Sequence, residues 1–196
     1  MRGITGAILA GGKSSRMGEP KPGVLLWDQR PMLAHVIESL QPVCSDMIIV
    51  GNGGNITLPP HVRYLPDHRP GLGPLAGLEA LLASGLDDRY LVVGCDQPLL
   101  EPTLLKRLAD NTPLSALGFF CDITNASQIR SLEPFPGVFT TSWLGEVTTA
   151  LTEGRLSIRE AIQKTSNPVY YETLDNPKDI RRLCSLNTPQ DILQHL

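Results

Sequence analysis

Thr5-Gly6-Ala7-Ile8-Leu9-Ala10-Gly11-Gly12-Lys13-Ser14-Ser15-Arg16-Met17-Gly18, with Lys21 just beyond it, is the stretch whose reading decides the fold. The apolar run from Ala7 to Ala10 predicts a short buried strand. It ends in Gly11-Gly12, where the lack of side chains lets the backbone turn sharply and approach a ligand closely. Two hydroxyls and three cations (Lys13, Arg16, Lys21) follow at once. Exposed N–H groups flanked by fixed positive charge suit a polyanion, above all a nucleoside triphosphate. The plainer alternative is a strand–turn–helix whose cations only decorate a solvated helix face.

This turn is not a Walker A loop, which requires Gly, four residues, then Gly-Lys-Ser/Thr. Counting back from Gly12 puts Ala7, not Gly6, at the first glycine position, and the residues between are strand-like. The stretch therefore binds phosphate in some other way.

Bulk properties narrow the rest. The chain has 196 residues, enough for one α/β domain with a substantial core, and residues 1–196 are expected to form that single domain. A net charge of −3 gives no general attraction to nucleic acid, so an anion must be held by a local cluster. No apolar run approaches the roughly 20 residues that span a bilayer, and the N-terminus lacks a signal-peptide pattern, so a cytoplasmic protein without membrane partners is expected. Cys44, Cys95, Cys121 and Cys184 are scattered without a C-x-x-C pair, which favours reduced, mostly buried thiols. The four histidines show no metal-ligand spacing, and His35 reads as a surface residue.

Working outward, apolar runs alternate with helical periodicities. Strands are predicted at Met47–Val50, Val62–Leu65, Tyr90–Gly94, Leu114–Phe120 and Val169–Tyr171, with a further extended piece at Glu133–Phe139. Helices are predicted from Pro31 to about Pro42, from Pro74 through Leu82, from near Glu101 through Leu108, at Trp143–Leu151 and Ser157–Ile162, and after Thr188. Such alternation is α/β with a mostly parallel sheet, and ligands in such sheets collect at the carboxyl ends of the strands.

Three further segments lie at such ends. Gly51-Asn52-Gly53-Gly54 is either a plain turn or a second loop that brings Asn52 to the ligand. Asp67-His68-Arg69-Pro70-Gly71-Leu72-Gly73-Pro74-Leu75-Ala76-Gly77 is either a helix start with tight packing or a helix N-terminus that faces an anion or base. Asp96, after a strand apolar throughout, either caps the next helix or holds Mg²⁺; Pro98 and Pro102, which push the helix start toward Glu101, favour the ion.

The ordered string Leu9-Ala10-Gly11-Gly12-x-Ser14-Ser15-Arg16-Met17-Gly18-x-x-Lys21 resembles the signature of nucleotidyltransferases that activate small molecules, and most of all the molybdenum cofactor guanylyltransferases. The Gly73-Pro74-Leu75-Ala76-Gly77 run and the Asn187-Thr188-Pro189 tail resemble that family's later motifs. The resemblance implies a three-layer, Rossmann-like nucleotidyltransferase fold and the transfer of GMP from GTP to molybdopterin with release of pyrophosphate. By the same resemblance, Leu9, Ala10, Gly11 and Gly12 contact the nucleotide, and Arg16 and Lys21 stabilise triphosphate charge. Asn52 and Asp67 contact the nucleoside, Asp96 binds Mg²⁺, and Asn187 lines the pterin side. Ser185 stands where the family's N-x-N-T-P pattern has its first asparagine, which leaves the acceptor open. Transient contact with other cofactor-biosynthesis proteins or molybdoenzyme chaperones is also implied. The alternatives are a relative that uses CTP or a sugar-phosphate acceptor, a nucleotide-binding regulator without turnover, and a cofactor-delivery protein.

Overall fold

The computed structural model describes residues 3–10, 21–51, 58–123, 129–174 and 176–194. Seven strands form one sheet: β1 (Ile4–Leu9), β2 (Cys44–Val50), β3 (Val62–Leu65), β4 (Arg89–Gly94), β5 (Leu117–Ile123), β6 (Ile129–Thr140) and β7 (Val169–Thr173). Their order is β3-β2-β1-β4-β6-β5-β7. The first four are mutually parallel, β6 runs antiparallel to both β4 and β5, and β7 is parallel to β5. The chain steps from β1 outward to β3 and then returns to place β4 on the other side of β1. That reversal opens a crevice at the carboxyl ends of β1 and β4.

Helices cover both faces. They are α1 (Met32–Leu40), α2 (Pro74–Ala83), α3 (Pro102–Asn111), α4 (Leu144–Thr152), α5 (Ile158–Gln163), α6 (Pro177–Arg182) and α7 (Pro189–Leu193). The period-2 alternation of each strand explains the two cores. Ala7, Leu9, Tyr90, Val92 and Phe139 pack against α2, α4 and α5, while Ile8, Leu91, Val93 and Val138 pack against α1 and α3. Both sets are apolar because a sheet covered on two faces has no polar side. The result is the three-layer α/β fold expected, with a mostly parallel sheet.

Some boundaries differ from the sequence reading. The strand expected at Leu114–Phe120 begins only at Leu117, because Pro113 to Ala116 forms a turn that leaves Leu114 81% exposed. The extended piece at Glu133–Phe139 belongs to a longer strand. Helix α6 was not expected: none of its residues is buried, so it leaves no apolar periodicity, although Asn176 caps it and Pro177 begins it. Residues 11–20, which carry Gly11, Gly12, Lys13 and Arg16, lie outside the described residues. His35 is more covered than a surface reading implies, since it bonds Asp28 at 3.0 Å and lies against Trp27. Cys95 and Cys121 are buried thiols, but Cys44 is only half-buried and Cys184 is exposed. No helix among the described residues is long and apolar enough to cross a membrane.

Candidate active site

The site begins where β1 stops. Leu9 is paired with Val50 on one side and Gly94 on the other. The ladder then runs one step further, with Ala10 N donating to Val50 O at 2.8 Å and Cys95 N donating to Leu9 O at 3.1 Å. Leu9 thus lies opposite Gly94, two residues before Asp96, and its carbonyl meets the N–H of Cys95, the residue next to Asp96. Gly11, Gly12 and Arg16 follow directly in sequence but lie outside the described residues, as does Asn52.

Lys21 returns from that segment in a single 3₁₀ turn (Lys21–Gly23), anchored by buried Pro22. Its ammonium donates to Asp96 Oδ2 at 2.8 Å and to Asn187 Oδ1 at 2.6 Å. The Lys21 and Asp96 side chains are each 20% exposed, enough shielding for the pair to feel its charge yet open to a ligand. Three residues from opposite parts of the chain therefore meet at one point. Asp96 does not cap a helix: α3 starts at Pro102 with Glu101 at its N-cap position.

Asn187 reaches that point because the tail is strapped down. Leu186 N donates to Asp96 O at 2.7 Å, and buried Leu186 packs with Val24, Leu26 and Met32. Asp191 Oδ2 accepts from Asn187 N at 2.7 Å and from Thr188 N at 2.8 Å, closing the capping box at the start of α7. The same tail carries Ser185 to the edge of a pocket of about 400 Å³ beside Asp96.

The pocket is lined by Asp96 and Gln97, by Glu133, Pro134 and Phe135 of β6, and by Leu156 to Arg159. Arg159 crosses the rim, its guanidinium donating to Leu132 O at 3.1 Å and to Glu133 Oε2 at 3.4 Å. Sequence reasoning missed these walls. They come from segments that read only as an extended piece and an amphipathic helix, with no motif to mark them. Gln97 carries no motif of its own.

Asp67 lies just past β3, where its Oδ1 accepts from Arg69 N at 2.8 Å. Arg69 Nε in turn bonds the buried carboxylate of Glu79 on α2 at 2.9 Å, which ties the loop to the helix that starts at Pro74. No bond among the described residues joins Asp67 to the Lys21–Asp96–Asn187 group. Next to Asp96, burial pushes the Cys95 thiol up to about 12, with the Asp96 carboxylate adding to the rise. A thiol so protonated is a poor nucleophile. What remains at the crevice is a cation, a carboxylate and an amide beside the end of β1, an arrangement suited to binding and neutralising phosphates.

Residues 6–169 match the family described as the MobA-like NTP transferase domain. The chain belongs to that family. Relatives of these NTP transferases span it almost end to end. A probable molybdenum cofactor guanylyltransferase of Carboxydothermus hydrogenoformans is 31% identical over 97% of this chain and 94% of its own. A molybdenum cofactor guanylyltransferase of Pseudomonas aeruginosa is 29% identical over 96% and 92%. The crystal structure of molybdopterin-guanine dinucleotide biosynthesis protein A from Archaeoglobus fulgidus shares the fold with a TM-score of 0.72, covering 97% of this chain and 96% of that one at 19% identity. The fold also extends to 2-C-methyl-D-erythritol 4-phosphate cytidylyltransferase from Thermus thermophilus, at a TM-score of 0.66 and 14% identity over 96% and 95%. As an NTP transferase, the protein is a nucleotidyltransferase.

Proposed function

We propose that this nucleotidyltransferase transfers GMP from GTP to the terminal phosphate of molybdopterin, forming the guanine dinucleotide and releasing pyrophosphate. The observation that carries the reading is the convergence of Lys21, Asp96 and Asn187 beside the end of β1, with a pocket opening next to Asp96. The full-length relatives named molybdenum cofactor guanylyltransferase support GTP and molybdopterin as the substrates.

The chemistry needs no protein nucleophile. An acceptor phosphate oxygen attacks the α-phosphorus of GTP, the bond from that phosphorus to the α–β bridging oxygen breaks, and the β- and γ-phosphates leave together. Such reactions depend on alignment and on neutralising charge. In this reading the backbone at Leu9, Ala10, Gly11 and Gly12 cradles the triphosphate. Lys21 and Arg16 take up charge on the departing pyrophosphate, and Lys21 is held toward them by Asp96 and Asn187. Asn52 and Asp67 face the nucleoside. The pocket beyond Asp96 takes the acceptor, with Phe135, Pro134 and Leu156 offering apolar contact to a flat ring and Arg159 offering a cation to its phosphate.

The residues present fit a divalent ion of the Mg²⁺ type. Asp96 offers a hard oxygen donor at a strand end, and its Oδ1 has no hydrogen-bond donor among the described residues. Those residues include no cluster of three or more His, Cys, Asp or Glu able to form a closed cage. Mg²⁺ is commonly held by one or two carboxylates, with substrate phosphates and water filling its shell. Asp96 would hold the ion, which when bound supplies Lewis-acid stabilisation of phosphate charge. The soluble, cytoplasmic setting expected from sequence suits such small-molecule chemistry.

The test is pyrophosphate release from GTP, CTP, ATP and UTP in turn, with molybdopterin and Mg²⁺ supplied. Selective release from GTP is the expected result. Selective release from CTP would replace the guanylyl reading with a cytidylyl one, and no release from any would remove catalysis on molybdopterin.

A further inference from the structure

Gln97 lines the pocket, yet its amide is turned away into the protein. The residue is 2% exposed. Its Oε1 accepts from Gly94 N at 2.9 Å, and its Nε2 donates to Phe135 O at 2.8 Å and to Leu183 O at 2.9 Å. Oxygen and both amide hydrogens are thus used on three separate segments: the end of β4, the pocket wall on β6, and the start of the tail that carries Ser185 and Asn187.

The register explains why a side chain is needed there. β4 and β6 pair antiparallel from Arg89↔Thr140 to Val92↔Gly137. Carried two residues further, that register would set Gly94 opposite Phe135. Instead the strands part, and the Gln97 amide occupies the gap, accepting from the one and donating to the other. On its other edge β6 is displaced as well: Phe119 pairs with Gly137 but Phe120 pairs with Glu133, so Pro134, Phe135 and Pro136 bulge out of the ladder. Two of those three residues are prolines without an N–H, so the bulge leaves few donors to satisfy. A Cβ at Gly137 would lie 2.5 Å from Pro134 O, which shows how closely the bulge folds back on the strand.

We propose that Gln97 is the positioning residue of the acceptor pocket, an amide inserted between β4 and β6 that holds the Glu133–Phe135 wall away from Asp96 and fixes the tail on the opposite side. It acts through the backbone it bonds and makes no contact with the nucleotide. The inference rests on the reading of this pocket as the molybdopterin site.

Gln97→Met keeps the volume and removes all three bonds without adding charge. Gln97→Ala leaves a polar space that water can enter. Both are compared with the wild type by anaerobic calorimetric titration with molybdopterin and, separately, with GTP, and by steady-state KM for each substrate. The expected result for either folded variant is a loss of about tenfold or more in molybdopterin affinity and a matching rise in its KM. GTP affinity and GTP KM stay within about twofold. Loss of both affinities in parallel, or molybdopterin affinity within twofold of wild type, overturns the positioning role. A wild-type protein that fails to bind molybdopterin at all overturns the underlying assignment instead, and the two failures are read from different samples.

Discussion

At the scale of single residues, the orientation of Asp96 depends on what its neighbours lack. Its Oδ1 lies 2.5 Å from where a Cβ on Gly94 would sit, so Gly94 gives the carboxylate the space in which it turns toward Lys21. Gly94→Ala should therefore act on catalysis far more than on stability, because the short Asp96 side chain can swing aside while the strand stays in register. The expected outcome is a fall in kcat of about tenfold or more with a change in stability of no more than about 1 kcal/mol. Wild-type kcat in a variant of normal stability would show that the position of Oδ1 does not matter. Lys21 and Asp96 were legible as charges at strand ends and Asn187 only through the family resemblance; the structure brings the three side chains together. Gln97, Phe135 and Arg159 were not legible, because their roles depend on where β6 and α5 lie relative to β4. One residue's type cannot reveal a partner 38 positions away, as with Gln97 and Phe135.

At the scale of elements, the entrance to α1 is fixed by charge where a side-chain cap is missing. Pro31 occupies its N-cap position without a capping side chain. Just before it, Asp28 bonds Arg30 Nε at 2.6 Å and His35 at 3.0 Å, and Arg30 also pairs with Glu38. The Arg30 guanidinium holds the Asp28 carboxyl down from 3.8 to about 2. A carboxyl whose pKa is lower in the folded state binds its proton more readily when unfolded. Its contribution is thus fully present above about 3.8 and lost as pH falls toward 2. Wild type should be more stable than Asp28→Asn at pH 6, and the difference should shrink between pH 4 and 2 in urea titrations. A difference that stays constant across that range would remove the ion pair as its source. Element types were readable wherever an apolar period existed, as in β1, β4 and α1. Helix α6 and the true start of β5 were missed because an exposed helix leaves no period and a turn at Pro113 interrupts an apolar run.

At the scale of the whole molecule, two cores flank one sheet, and the site stands at the sheet's carboxyl end where strand order reverses. Phe139 lies fully buried between Phe119, at 5.3 Å edge to face, and Trp143, stacked at 5.5 Å, on the face that α4 and α5 cover. Phe139→Ala should cost about 3–5 kcal/mol and lower the melting temperature by roughly 10 °C. If residues 1–196 fold as one domain, heat or urea should melt that variant in a single transition; two separate transitions would divide the chain. The α/β class and the direction of the crevice followed from alternating strands and helices, and the three-layer arrangement from the family resemblance. The antiparallel β6 and its bulge, which shape the pocket, did not, because pairing direction is set by contacts distant in sequence.

We propose that Asp96, two residues past β4, serves the same triphosphate as the residues that follow β1. The most direct test is pyrophosphate release from GTP and molybdopterin in Mg²⁺ by wild type and Asp96→Asn side by side, with melting curves for both. Rapid release by wild type is expected, with a loss of about 100-fold or more in the variant and little change in melting temperature. Equal rates in the two proteins would contradict it.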